Sequence, residues 1–201
     1  MNLTYRDDIH EYRIDGVVVP SVTQIIKEAG FSDYSMVPAP ILKAAQKFGK
    51  AVHSATELWD KGILDVESLS APLVPYLEAW KKFRTDYNPV INEIELKLGS
   101  EKWRFAGTID RIITLNGAGI LDLKSGFEFI PATAIQTGGY GILAKEKYKI
   151  KFRMGLLLKP DGTYKIQQYK ETTDEQTFLS ALICYRWKEK HNLLKKDETN
   201  D

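Results

Sequence analysis

Gly107-Thr108-Ile109-Asp110, followed twelve residues on by Asp122-Leu123-Lys124, is the stretch that decides how this chain of 201 residues is read. Trp103 to Leu115 has the composition of a strand, Asn116-Gly117 is a tight-turn pair, and Gly119 to Lys124 reads as the strand that returns. Residues two apart on a strand share a face, so Asp122 and Lys124 project together. Asp110, on the preceding strand of that hairpin, can lie beside Asp122. Ahead of both, Val90 to Leu98 sets Val90, Ile94, Leu96 and Leu98 against Glu93, Glu95 and Lys97, which is the alternation of a half-buried strand. Its Glu95 can supply a third carboxylate. The three strands form an antiparallel meander.

Carboxylates held close together repel and lose hydration, so such a cluster needs a cation or a proton. A few oxygen ligands with open water positions suit Mg²⁺. Lys124 beside them is a point charge fit to hold an attacking water or a phosphate oxygen. The set therefore points to metal-assisted attack on a phosphodiester. An Asp-x-Lys on a strand is otherwise a solvated polar face. Here the alternate positions Leu121 and Leu123 are apolar, and the small Gly107 and Gly126 lie nearby.

Outward from the meander, the N-terminal EYRIDGVVV reads as two short strands about Asp15-Gly16. Ser21 with Gln24 is a capping box that opens a short helix to about Ala29. Pro40 sits in the first turn of a long helix from Ile41 to about Lys61, with Ala44, Ala45, Phe48, Val52, Ala55 and Trp59 at helical spacing. A further helix spans Leu73 to Tyr87. Beyond the meander come a helix from Ala132 to Lys145 and strands Tyr148 to Leu158 and Tyr164 to Tyr169. An amphipathic helix from Asp174 then fades into the polar tail KKDETND. The expectation is one α/β domain over residues 1–201, with a mixed central sheet between helices and a helical N-terminal half.

Composition narrows the class. Lys+Arg 28 against Asp+Glu 27 leaves a net charge of +1, which argues against a histone-like binder but is silent on local patches. No apolar run reaches the ~18 residues of a membrane span, and MNLTYRDDIHEYR lacks the apolar core of a secretory signal. A cytoplasmic location is expected. Cys184 is the one cysteine, so a disulfide framework or a multi-cysteine cluster is not available.

The motifs in order resemble the PD-(D/E)XK nuclease superfamily, and within it the RecB-like exonuclease branch. The acidic core is similar to Asp110 in GTID and Asp122-Leu123-Lys124 in LDLKSG. The downstream Gln-x-x-x-Tyr signature is similar to Gln136 and Tyr140 in AIQTGGY, and the upstream histidine to His53 in FGKAVH. PSVTQII near the N-terminus resembles the family's opening segment, so the likeness runs from about Pro20 to Tyr140.

The resemblance implies a restriction-endonuclease-like core. It implies one or two Mg²⁺ or Mn²⁺ ions on Asp110 and Asp122, with the Leu123 carbonyl, His53 and Glu95 as further ligands. Glu93 is the reserve for Glu95. An imidazole ligand tilts selectivity toward Mn²⁺. Lys124 is implied as the catalytic lysine, with Asp110, Asp122 and Glu95 completing the catalytic set. Gln136, Tyr140 and Ser125 are implied to meet DNA. Tyr140 can equally be core, and His53 can be a satisfied helix histidine. The four cysteines that hold an iron–sulfur cluster in some relatives are absent. A GK[ST] loop is absent too, so any unwinding needs a helicase or recombination partner. Small stand-alone members of the branch are often phage-borne.

Lys43, Lys47 and Lys50 line the helix before His53, and Lys145, Lys147, Lys149, Lys151 and Arg153 form a second basic run. Either can track a phosphate backbone, or be a solvated face. Glu57, four residues past His53, can orient the imidazole or lie exposed. Trp59, Trp80, Trp103 and Trp187 read as core. The activity implied is a metal-dependent DNA exonuclease working in recombination, repair or replication. The alternatives are a decayed nucleic-acid-binding module and an endonuclease on the same fold.

Overall fold

Positive φ at Asp15 (52°) and Gly16 (80°) makes the tight turn expected there, because both central residues of such a turn are left-handed. It joins β2 (Glu11–Ile14) to β3 (Val17–Val19), and β1 (Leu3–Arg6) adds to the outer side of β2. That first strand is a finding; its four residues are too few to show an alternation. The structure is a computed structural model that describes residues 1–194. The tail Lys195 to Asp201 lies outside the described residues.

Ser21 caps α1 (Val22–Glu28): its Oγ accepts from Gln24 N at 3.1 Å, and Gln24 Oε1 accepts from Ser21 N at 2.8 Å. α2 (Ala39–Asp60) follows with Pro40 in its first turn. A 3₁₀ turn at Ala71–Leu73 leads into α3 (Val74–Tyr87), which stops where Asn88 turns left-handed.

The central sheet is β4 (Val90–Ser100), β5 (Phe105–Thr114), β6 (Ala118–Lys124), β7 (Phe152–Leu158) and β8 (Tyr164–Tyr169), in that spatial order. All neighbours are antiparallel except β6 and β7. A parallel pair cannot be closed by a hairpin, and α4 (Ala132–Ala144) supplies the crossover. The C-terminal helix is α5 (Thr173–Lys190).

Helices cover both faces. On one, Val22, Ile25, Tyr140, Phe178 and Leu182 from α1, α4 and α5 pack with Ile109 and Ile120. On the other, Val52, Leu77, Trp80 and Phe83 from α2 and α3 pack with Leu121, Leu123 and Leu156. Strand alternation on β6 thus divides Ile120 from Leu121 and Leu123, as its period of two requires. A Cβ on Gly139 would stand 2.8 Å from the Phe178 ring, so α4 and α5 meet at a distance only glycine allows. The mixed five-stranded sheet between helices, expected of a restriction-endonuclease-like core, is what the chain forms.

Several local expectations change. Tyr148 to Lys151 precede the strand, because the Tyr148 hydroxyl is drawn to Glu93. Ala44 and Ala45 are exposed, since the N-terminal half of α2 projects past the packed helices. α5 is not one-sided: Phe178 and Leu182 are buried, but Ile183 and Trp187 face solvent. Trp187 is therefore not core, whereas Trp80 is fully buried and Trp59 and Trp103 partly so. Among the described residues no helix is long and apolar enough to cross a membrane.

Candidate metal centre

The ladder between β5 and β6 pairs Thr114 through Arg111 with Ala118 through Leu121, and there it ends. The next pair would be Asp110 with Asp122. β6 instead runs on beside β7 as far as Lys124 opposite Leu157, while β5 stays with β4. The strands part at the two aspartates. Leu123 N, without a carbonyl partner on β5, donates to Asp110 Oδ2 at 2.7 Å. The ladder bond is replaced by a side chain, and the other oxygen of Asp110 is left to face the opening.

His53 comes down from α2 onto that opening. Its Nε2 lies 3.2 Å from the Leu123 carbonyl, which can only accept, so Nε2 carries the proton. In the neutral ring Nδ1 is then a bare lone pair, 3.6 Å from Asp110 Oδ1 and 3.7 Å from Glu95 Oε1. The ligand atoms of His53, Glu95 and Asp110 all lie within 4.8 Å of one another. Burial opposes a charge on His53, but the carboxylates of Asp110 and Glu95 outweigh it and raise its pKa.

Glu95 reaches this group from an irregular part of β4. The register shifts between Ile91 and Glu93, and Glu95 itself has φ of 48°. A non-glycine left-handed residue costs roughly 1–3 kcal/mol, a strain usually kept where function needs it. Glu93 goes elsewhere: Tyr148 and Lys147 donate to it, the lysine at 3.3 Å.

Asp122 is 1% exposed, and its Oδ1 has no hydrogen-bond partner. Lys124 Nζ stands 2.7 Å from Oδ2 as an ion pair. Burial pushes the Asp122 pKa up to about 6; Lys124 works against this, and Asp110 adds to it. Burial alone would lower Lys124, yet the carboxylates of Asp122 and Asp110 hold it above its usual value. Glu95 Oε1 is a second buried oxygen without a hydrogen bond. Orphaned buried carboxylate oxygens beside an imidazole lone pair are what a divalent cation would satisfy, so the donor set fits one.

On the other side of Lys124, its Nζ donates to Gln136 Oε1 at 3.2 Å, and Gln136 Nε2 donates to Tyr140 OH at 3.0 Å. Gln136 and Tyr140 are one turn apart on α4 and share a face. The Tyr140 ring is buried, and a Cβ on Gly107 would come 3.0 Å from its Cε1. Gly107 is small to admit that ring. Tyr140 thus acts through Gln136 on the lysine, with no free face for a base. Ser125 is half-buried against α2, its Oγ 3.6 Å from where a Cβ on Gly49 would be.

Arg111 is the residue that spacing did not single out. It is fully buried, and its Nε donates to Asp60 Oδ2 at 2.9 Å and Nη2 to Thr56 Oγ1 at 3.1 Å. Nη1 donates to the Asp110 carbonyl at 2.7 Å and stands 3.5 Å from Glu95 Oε1. One guanidinium therefore ties α2, β5 and the Glu95 carboxylate together. The signals were an arginine directly after Asp110 in an apolar strand, and Asp60 two helical turns past His53. Glu57 instead pairs with Lys61 at 2.5 Å, so it does not orient the imidazole.

Lys43, Lys47 and Lys50 are exposed, and among the described residues no carboxylate pairs with them. The second basic run is largely committed to the fold. Lys145 pairs with Glu175, Lys147 with Glu93, and Arg153 is buried against Asp174 at 2.7 Å.

No family model matches the sequence, and no curated protein matches it either. Among solved structures the chain is similar to SSO0001, at 16% identity and TM-score 0.41, over 82% of this chain and 75% of that one. It is also similar to the alkaline exonuclease LHK-Exo from Laribacter hongkongensis, at 10% identity and TM-score 0.43, over 63% of this chain and 74% of that one. Likenesses so distant leave the reading of the site to its own side chains.

Proposed function

We propose that the protein is a divalent-metal-dependent DNA exonuclease that works as one nuclease domain in recombination, repair or replication. The observation that carries this is the buried Asp122 carboxylate, ion-paired to Lys124 through Oδ2 with Oδ1 left without a partner, next to the cluster of His53, Glu95 and Asp110, whose ligand atoms lie within 4.8 Å of one another. His53, Glu95, Asp110 and Asp122 would hold Mg²⁺ or Mn²⁺, with the Leu123 carbonyl at the rim. Such an ion supplies positive charge for a phosphoryl oxygen and acidifies a bound water.

The chain's own groups do the rest. Asp110 fixes the gap between β5 and β6 through Leu123 N, which keeps the carboxylates apart from the ladder. Asp122 and Gln136 hold the Lys124 ammonium where negative charge builds on a phosphate under attack, and this donor needs no rearrangement. Tyr140 locks Gln136 in turn. Lys43, Lys47 and Lys50 give the approaching backbone its counter-charge.

End-labelled linear DNA and closed circular DNA, incubated with Mg²⁺ or Mn²⁺, test the reading. Loss of the linear forms with intact circles is expected. Nicked circles would favour an endonuclease on the same fold, and no cleavage of either would end the nuclease reading.

A further inference from the structure

Phe127 has a relative exposure of 103%, more than any other large apolar side chain described. It follows Lys124 by three residues, on the loop between β6 and α4. Ser125 of that loop lies against Gly49, so Phe127 stands two residues past the point where the loop meets α2. Tyr34 is half-exposed and within electrostatic range of Lys124. Met36 (93%) and Ile41 (60%) lead from there onto the projecting half of α2. Lys43, Lys47 and Lys50 follow at the i, i+4, i+7 spacing of one helical stripe.

A benzyl side chain wholly in water has no stabilising role in this fold, and a partner is the physical reason to keep it there. The neighbouring charge selects that partner. A second copy would bring the same lysines against each other, whereas a nucleic-acid strand brings phosphates to the lysines and base faces to the ring. Within a duplex those faces are covered by stacking; on an unpaired strand they are open.

We propose that Phe127 is a specificity-determining residue that stacks on an unpaired base next to the scissile phosphate, so that the site favours frayed or single-stranded ends. This rests on the nuclease reading, and the test keeps the two apart. Cleavage of a single-stranded oligonucleotide and of a blunt duplex is measured for the wild type and for Phe127→Ala, Phe127→Leu and Phe127→Trp. In parallel, oligonucleotides carrying 2-aminopurine are titrated into each protein in EDTA, where stacking quenches the fluorescence without any cleavage. Because the ring touches nothing in the fold, all variants should fold.

Phe127→Ala and Phe127→Leu should raise KM on the single strand by roughly ten-fold and abolish the quench. Their effect on blunt duplex should be much smaller, and Phe127→Trp should restore both signals. Equal effects on the two substrates, or full function of Phe127→Leu, would overturn the assignment, since leucine supplies apolar contact without a π face. A wild type that cleaves nothing would count against the nuclease reading alone, because the fluorescence titration still reports stacking.

Discussion

At the scale of single residues, Asp122 is held against its own chemistry: burial pushes the pKa of its carboxyl up to about 6. The consequence for stability has a definite sign. Below about pH 4 the group is protonated folded and unfolded alike, so it contributes no difference. As pH rises toward 6 the unfolded chain releases this proton and the native one does not, so the metal-free protein loses stability. By pH 7 the loss is about 2–3 kcal/mol. In Asp122→Asn that loss should vanish. Urea denaturation in EDTA should show the variant gaining on the wild type between pH 4 and 7, and Mn²⁺ should restore the wild type. A difference independent of pH would remove the titration from Asp122.

Lys124 gives a second prediction. One well-placed donor to a developing oxyanion is worth ~2.7–4 kcal/mol. Lys124→Ala should therefore lose about 10²–10³-fold in cleavage rate while binding DNA with nearly unchanged affinity, since one phosphate contact among many contributes little. Single-turnover cleavage set against DNA titration by anisotropy checks it. Unaltered turnover would make Lys124 a solvated strand residue.

At the scale of elements, the shared face of Asp122 and Lys124 was legible because strand parity sets it, and parity survives burial. The choice between Glu93 and Glu95 was not legible. On a regular strand they point the same way, and the register shift at Ile91/Glu93 with left-handed Glu95 separates them. The exposed start of α2 was equally hidden, as Ala44 and Ala45 have the spacing of a packed face but no neighbour to pack on. Arg111 was missed because its partners, Asp60 and Thr56, come from a helix about fifty residues earlier.

That network carries the third prediction. Asp60 neutralises both Arg111 and Arg84. Asp60→Ala would leave a fully buried guanidinium without its partner, a change that typically costs 3–5 kcal/mol. Urea unfolding should show a lower midpoint with an unchanged slope. A loss under 1 kcal/mol would show that Arg111 finds another counter-charge.

At the scale of the whole molecule, the sheet order follows from short turns that make β4, β5 and β6 neighbours, and from one helix long enough to cross over between β6 and β7. This much the hairpin signals and helical spacing contain. The parting of β5 from β6 is different, because it arises from a competition between a ladder carbonyl and the Asp110 side chain for Leu123 N. No spacing rule records which wins. The same parting sets His53 from one helical layer and Gln136 from the other on a single opening. The site is thus a product of both layers and the sheet between them.

The most direct measurement is therefore a calorimetric titration of Mn²⁺ into the wild type, Asp110→Asn and His53→Ala at pH 7. Binding by the wild type, with affinity lowered at least ten-fold in Asp110→Asn and more modestly in His53→Ala, is the expected result. Equal affinity in wild type and Asp110→Asn, or no binding by the wild type, would contradict a metal centre at this opening.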